Sequence, residues 1–168
     1  MAGLTVIGID PGSRNTGWGV VSEQSGILSL VDCGVIRPST SGAFSERLAV
    51  IFRELRVVIQ RNQPSEAAVE QVFAGMNPAT ALKLGQARGV ACAACASCDV
   101  PVSDYEPRVI KKTLVGVGSA EKEQVAFMVG RLLNRRPDWA LDTSDALAVA
   151  ICHLTMRRLE ERLRQAKR

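Results

Sequence analysis

The sequence lacks the long apolar stretches and the leader segment that would place a protein in or across a membrane. No run approaches the roughly 18 consecutive apolar residues of a membrane-spanning helix. The first ten residues, MAGLTVIGID, carry no basic segment of the kind that begins a signal peptide. Aromatic residues are also scarce, at 4%. We therefore expect a cytoplasmic protein with no membrane partner, whose core is built mainly from valine, isoleucine, leucine and alanine.

What is present is enough apolar sequence for one folded domain, which we expect to span residues 1–168. Hydrophobic residues make up 46% of the chain and charged residues 23%, which excludes a predominantly disordered protein. The net charge is +4, and residues 156–168 supply all of it, with six basic and two acidic side chains. A basic helix end or tail of this kind is weak evidence for a nucleic-acid partner, because such ends are commonly only solvated.

The five cysteines are expected to be free thiols, as is usual in cytosolic proteins. Cys92, Cys95 and Cys98 form a C-x2-C-x2-C run. A bacterial iron–sulfur run would need a fourth cysteine about four residues further on, whereas Asp-Val-Pro-Val follows Cys98. Alanine and serine separate the three cysteines, which favours small side chains packed in a helix over a metal site.

The order of the predicted elements indicates an α/β fold with a five-stranded mixed sheet and helices on both faces. Short apolar or β-branched runs bounded by turn residues predict strands, and apolar residues at helical spacing predict helices. The predicted strands are 4–9, 16–22, 27–37, 67–69 and 100–105, and the predicted helices are 44–59, 79–96, 107–115, 121–133 and 144–168. The first three strands should form an antiparallel meander.

Four acidic residues stand where predicted elements end or begin. Asp10 ends the first strand, Glu70 ends the fourth, and Asp142 and Asp145 lie three residues apart at the start of the last helix. Each has an ordinary explanation, since Asp10 could be a turn residue and a lone Glu70 after a strand means little. Asp142 could cap the last helix, and Asp145 could be a favourable acid in its first turn.

Taken together, the four acids favour a metal site. Adjacent strands would bring Asp10 and Glu70 close, and a helix packed on the sheet could deliver the other two. Carboxylates at close range repel one another unless a cation neutralises them. Oxygen ligands without cysteine or histidine at matching spacing favour Mg2+ or Mn2+ over zinc. Two such ions about 4 Å apart would suit in-line hydrolysis of a phosphodiester.

Four separated motifs are similar to those of a known nuclease family. They are GIDPGSRNTGWG at 8–19, VEQVFAGMNPATALKLGQARG at 69–89, VGVGSAEKEQV at 115–125 and DTSDALAVAICH at 142–153. In these motifs and in their order the chain resembles the RuvC family of bacterial Holliday-junction resolvases. The resemblance implies an RNase H-like fold in which the catalytic acids and ligands of two Mg2+ ions, replaceable by Mn2+, are Asp10, Glu70, Asp142 and Asp145. It also implies paired symmetric nicks in a four-way junction during recombination and repair, leaving 5′-phosphate and 3′-hydroxyl ends.

The resemblance further implies contacts with DNA. Phe73 matches an aromatic residue that stacks on an unpaired base, and Lys111 and Lys122 match basic positions near the scissile strand. A core position for Phe73 and a solvated surface for either lysine remain alternatives. Further candidates for phosphate contacts are Arg14, Lys83 and Lys112.

The resemblance also implies partners and a location. The family forms two-fold homodimers, because two strands of like polarity must be nicked together, and works with the RuvA–RuvB branch-migration complex in the bacterial cytoplasm, at the nucleoid. Gly85 and Gly89 give the predicted helix 79–96 a face of small residues that another backbone could approach closely. This helix is the candidate dimer interface, although the same face could pack within one subunit.

Other functions fit the sequence less well. An actin-like or sugar-kinase-like ATPase shares the sheet but needs two such domains around its nucleotide. A RuvC-like nuclease of ribosomal RNA precursors has similar acids, but the EQVF-to-ARG block and the GSAEK segment favour the resolvase. A junction-binding protein that has lost catalysis is opposed by the presence of all four acids. His153, eight residues after Asp145 on an apolar helix, is more typical of a core residue than of a metal ligand.

Overall fold

The computed structural model describes residues 3–72 and 77–166. In this part of the chain the strands and helices follow one another in the predicted order. The strands are β1 Leu4–Asp10, β2 Thr16–Gln24, β3 Ile27–Ile36, β4 Glu66–Glu70 and β5 Val102–Tyr105. The helices are α1 Phe44–Asn62, α2 Pro78–Ala96, α3 Pro107–Val115, α4 Lys122–Leu132 and α5 Leu141–Ala166.

The five strands form one mixed sheet in the order β3-β2-β1-β4-β5. β1, β2 and β3 are the predicted antiparallel meander, and Ser25 and Gly26 turn the chain between the last two with positive φ angles of 53° and 85°. β4 lies parallel to both β1 and β5. In the β1–β4 register Ile9 lies beside Val69, so the next residue of each strand is an acid, Asp10 on β1 and Glu70 on β4.

Helices cover both faces of the sheet, as predicted. Because side chains alternate along a strand, Ile7, Ile9 and Val69 pack with the apolar residues of α1 and α2. Val6 and Ala68 point to the opposite face and pack with α3, α4 and α5. α5 is buried at every position from Thr143 to Leu154 except Asp145, which makes this helix the centre of its side of the core.

Glycines allow α5 to lie almost against the backbone of β1 and β2. A Cβ atom added at Gly8 would stand 2.0 Å from the carbonyl oxygen of Ala146, and one added at Gly17 would stand 2.0 Å from that of Asp142. No side chain fits in such a gap, so these positions require glycine. The close approach places the first turns of α5, with Asp142 and Asp145, beside the end of β1.

α5 begins three residues earlier than the sequence predicted, and its basic end is not merely solvated. Its first turn begins at Leu141 because the amides of Thr143 and Ser144 donate to the carbonyl of Ala140. Asp142 therefore lies inside the helix, and its interpretation as the cap was wrong. At the other end the basic segment continues the helix to Ala166. It is only partly solvated, since Arg157 pairs with Glu66 on β4.

The cysteines are free thiols, as expected. Cys95 is buried, and burial raises the pKa of its thiol to about 12. Cys92 and Cys98 pack at the edge of the same core. Among residues 3–72 and 77–166, no helix has the length and apolar character needed to cross a membrane.

Candidate active site

Three of the four predicted acids line one cavity at the carboxyl end of the central strands. Asp10 ends β1, Glu70 ends β4, and Asp145 projects from the second turn of α5. The cavity has a volume of about 110 Å3, and Lys111 of α3 and Lys122 of α4 also line it. Its apolar wall consists of Pro107, Ile110, Val125 and Ala148. Two parallel strands and three helices thus bring together side chains that lie up to 138 residues apart in the sequence.

The carboxylates of this cavity repel one another. Burial, followed by the charge of Asp145, raises the pKa of Asp10 to about 6. Burial, followed by the charges of Asp10 and Asp145, raises the pKa of Glu70 to about 8. The ionised form of both carboxyls is therefore disfavoured in the protein alone. A cation placed among them would favour the ionised form instead.

Lys122 supplies part of the missing positive charge. Its ammonium group donates to Oδ2 of Asp145 at 2.9 Å, and this bond raises the pKa of the lysine. Lys122 is the first residue of α4. A hydrogen bond of 2.9 Å, which the amide of Glu121 donates to the Gln124 side chain, fixes the start of this helix. Its side chain is 65% exposed, so it can leave Asp145 for another anion at little cost in desolvation.

Asp142 stands apart from the cavity. Its Oδ2 accepts a hydrogen bond of 3.2 Å from the side-chain amide of Asn15, and its charge adds to the raised pKa of Asp10. Asn15 belongs to the loop between β1 and β2, where the hydroxyl of Thr16 donates to the Gly12 carbonyl at 2.7 Å. Asn15 was not among the site residues predicted from the sequence. Its place in the first motif is the sequence feature that could have pointed to it.

The residues of the cavity fit a divalent cation in their chemistry. They provide hard oxygen donors from separate elements, and their mutual repulsion is the penalty that a cation would relieve. As the side chains are arranged, no three histidine, cysteine, aspartate or glutamate side chains in the described part of the chain converge closely enough to hold a metal ion. Binding would require Asp145 to exchange Lys122 for the cation.

The other predicted DNA contacts are spread over the surface. Lys112 is exposed next to Lys111 on α3, Lys83 is exposed on α2, and Arg14 is exposed in the loop after β1. Phe73 lies outside the described residues. A groove beside the cavity shares Lys111 with it and is also lined by Arg108 and Ser119. This groove extends the basic edge of the cavity along α3.

His153 is a buried residue away from the cavity, as its sequence context suggested. It is 2% exposed and contacts Tyr105 and Glu66 instead of the acids of the cavity.

Comparisons with known proteins identify the family. The sequence model of "Crossover junction endodeoxyribonuclease RuvC" matches residues 6–153. The chain belongs to the RuvC family. It is 65% identical over 159 residues to the crossover junction endodeoxyribonuclease RuvC of Lawsonia intracellularis, covering 95% of each chain. The chain is thus an endodeoxyribonuclease of crossover junctions, and the relatives do not support the alternatives of a ribosomal RNA nuclease or a non-catalytic protein.

Solved structures agree with the family and with the predicted RNase H-like fold. RuvC of Thermus thermophilus superposes with a TM-score of 0.82 at 34% identity, covering 94% of this chain and 97% of that one. The same RuvC in complex with a Holliday junction substrate gives a TM-score of 0.85 at 34% identity, covering 94% of this chain and 96% of that one. The predicted five-stranded mixed sheet with helices on both faces is confirmed.

Proposed function

We propose that this RuvC chain resolves four-way DNA junctions by paired symmetric nicks, with the cavity of Asp10, Glu70 and Asp145 as its metal-dependent active site. The observation that carries the proposal is the meeting of these three carboxylates with Lys111 and Lys122 in one cavity. Mg2+ is the proposed ion, two per site, with Mn2+ able to replace it, because the donors are all carboxylate oxygens.

In this mechanism the protein holds the cations and the substrate phosphate in place. Bound divalent cations supply charge stabilisation to the attacking and leaving oxygens of the scissile phosphodiester. The backbones of Asp10 and Glu70 are fixed by their strands and that of Asp145 by its helix, so the rearrangement on loading is confined to side chains, with Asp145 exchanging Lys122 for the cation. Asp142 is proposed as the fourth acid, released from Asn15 when the site is loaded. Hydrolysis would leave 5′-phosphate and 3′-hydroxyl ends.

Lys111 and Lys122 are proposed to hold the phosphate being cleaved. Both side chains line the cavity, and the exposure of Lys122 lets it exchange Asp145 for a phosphate oxygen. Lys112, Arg14 and Lys83 are proposed to contact phosphates farther from the cleavage point, which positions DNA without reading its sequence. Stacking of Phe73 on an unpaired base stays a prediction from the resemblance.

The substrate geometry supports a homodimer. Two nicks placed symmetrically in a four-way junction require two active sites, and each chain contributes one cavity. A helix face suited to self-association is available on α2, where Gly85 and Gly89 open into free space and Leu82 is 65% exposed. We propose this face as the dimer interface, and a RuvA–RuvB complex as the partner at chromosomal junctions in the bacterial cytoplasm.

A mobile synthetic junction tests the proposed function. The purified protein, incubated with the junction and Mg2+, should produce two symmetric nicks that DNA ligase can seal. In EDTA at moderate salt it should bind the junction more tightly than a linear duplex of the same sequence. Asymmetric cuts, or equal affinity for plain duplex, would contradict the proposal.

A further inference from the structure

A buried polar network joins α5 to Glu66, at the end of β4 farther from the cavity, and to Tyr105, which lies beside Glu70 in the register of β4 and β5. The Nδ1 atom of His153 lies 2.9 Å from the hydroxyl of Tyr105, and its Nε2 atom lies 2.5 Å from Oε2 of Glu66. Arg157, one turn further along α5, places its guanidinium 3.0 Å from the other carboxylate oxygen of Glu66. Three elements are thus tied together through one histidine that is 2% exposed.

The network assigns a partner to each polar atom of the imidazole. If Nε2 carries the proton and donates to Glu66, Nδ1 is free to accept from Tyr105. Burial raises the pKa of Tyr105 to about 12, so its hydroxyl keeps the proton that it donates. Because both imidazole nitrogens have a partner, a displacement of α5 would leave a buried polar group without one.

The distance between the network and the cavity is similar along β4 and along α5. Glu66 and Glu70 are the first and last residues of β4, and four residues of strand span about 13 Å. Asp145 precedes His153 by eight residues on α5, and eight residues of helix span about 12 Å. Glu66 meets His153 at one end of this span, and Glu70 shares the cavity with Asp145 at the other.

Between these two ends small residues let α5 approach β1 and β4 closely, while larger buried side chains such as Leu147 pack into the same cluster. Gly8 faces Ala146 and Ala150 across the gap, and Ala68 belongs to the same buried cluster as Ala148. Small side chains permit close packing, and the apolar contacts around them are non-directional. Directional hydrogen bonds fix such a position more sharply than dispersion contacts do.

We propose that His153 is a positioning residue: together with Tyr105, Glu66 and Arg157 it fixes α5 along β4 and so holds Asp145 at the distance from Glu70 that metal binding requires. The inference rests on the proposed function, in which these acids are metal ligands. It assigns the network a role beyond stability, since a shift of α5 would move Asp145 relative to both strands. Outer residues that orient metal ligands commonly affect metal affinity by 10-fold or more.

Two variants remove single contacts while keeping the shapes of the side chains. Tyr105→Phe deletes the hydroxyl that faces Nδ1, and Glu66→Gln removes the charge that faces Arg157. Ile151→Val is the matched control, because Ile151 is equally buried on α5 and the change deletes one methylene without touching a network hydrogen bond. Thermal unfolding of all three proteins establishes how much stability each has lost.

The deciding measurements are Mn2+ affinity by calorimetry without DNA, junction affinity in EDTA, and steady-state cleavage with Mg2+. The network variants should bind Mn2+ about 10-fold more weakly than wild type, with a similar loss in kcat and an unchanged junction Kd, whereas Ile151→Val should keep wild-type Mn2+ affinity and kcat. The positioning role would be overturned if the network variants kept wild-type Mn2+ affinity and kcat. It would also be overturned if Ile151→Val lost as much Mn2+ affinity and kcat as a network variant with the same Tm.

These results separate the inference from the function on which it rests. If wild type binds Mn2+ and cleaves the junction while the network variants match the control, only the positioning role fails. If wild type neither binds Mn2+ nor cleaves, the metal-dependent function itself fails.

Discussion

The metal-free protein should lose stability as the pH rises, because the cavity concentrates carboxyls that resist ionisation. The pKa of Asp10 is raised from 3.8 to about 6 and that of Glu70 from 4.5 to about 8. A carboxyl with a raised pKa in the folded state binds protons more tightly than the unfolded chain does. Stability is therefore highest at acidic pH and decreases as the pH rises from about 4 to about 8.

The size of this effect follows from the two shifts. Each unit of pKa difference corresponds to about 1.4 kcal/mol. Between pH 5.5 and pH 8 the free energy of unfolding should fall on the order of 3 kcal/mol, most of it from Glu70, whose pKa is the higher of the two. Added Mg2+ should remove most of the decrease by binding the ionised carboxylates.

Urea unfolding in EDTA at several pH values between 5.5 and 8, followed by circular dichroism, measures the effect. The control is the double variant Asp10→Asn/Glu70→Gln, which should show a much flatter profile and should be more stable than wild type at pH 8 without metal. A wild-type free energy that stays constant or rises over this range, or a double variant with the same slope as wild type, would refute the electrostatic reasoning.

Three further predictions concern α5, the basic edge and the dimer. Gly8→Ala should lower the free energy of unfolding by about 1 to 3 kcal/mol in urea titrations, because its methyl group would stand 2.0 Å from the Ala146 carbonyl oxygen; unchanged stability would mean that α5 lies farther from β1. Lys111→Ala should lower the steepness of the slope in a plot of log K for junction binding against log salt by about one. Arg53 is exposed on the opposite face, so Arg53→Ala should leave this slope unchanged. Leu82→Glu should convert a dimer to a monomer in analytical ultracentrifugation, and a persistent dimer would exclude α2 as the interface.

Much of the fold could be predicted because local signals coincide with its element boundaries. Pro11 and Gly12 follow β1, and Pro64 follows α1, so turn residues separate the apolar runs. The pairing of β1 with β4 could be anticipated only through the acids, since Asp10 and Glu70 end their strands and suggested a shared site. The parallel register, in which Ile9 lies beside Val69, confirms that the two strands are neighbours.

The parts that could not be predicted depend on contacts between distant residues. Lys122 was assigned to DNA from its motif, and nothing in its neighbourhood along the chain indicates the ion pair with Asp145. Asp142 was compatible with a helix cap because the sequence does not reveal that the Ala140 carbonyl begins the first turn. The link between Glu66 and His153 spans 87 residues and has no sequence signature.

The central claim is that the carboxylates at the ends of β1, β4 and α5 form the metal-dependent active site. Its most direct test is Asp10→Asn, assayed for cleavage of a mobile junction in Mg2+ and for binding of the same junction in EDTA. Asp99→Asn is the matched control, because Asp99 lies at the opposite end of the sheet in a left-handed conformation that asparagine tolerates. The account predicts that Asp10→Asn binds the junction with wild-type affinity and does not cleave it, while Asp99→Asn does both; cleavage by Asp10→Asn at the wild-type rate would contradict it.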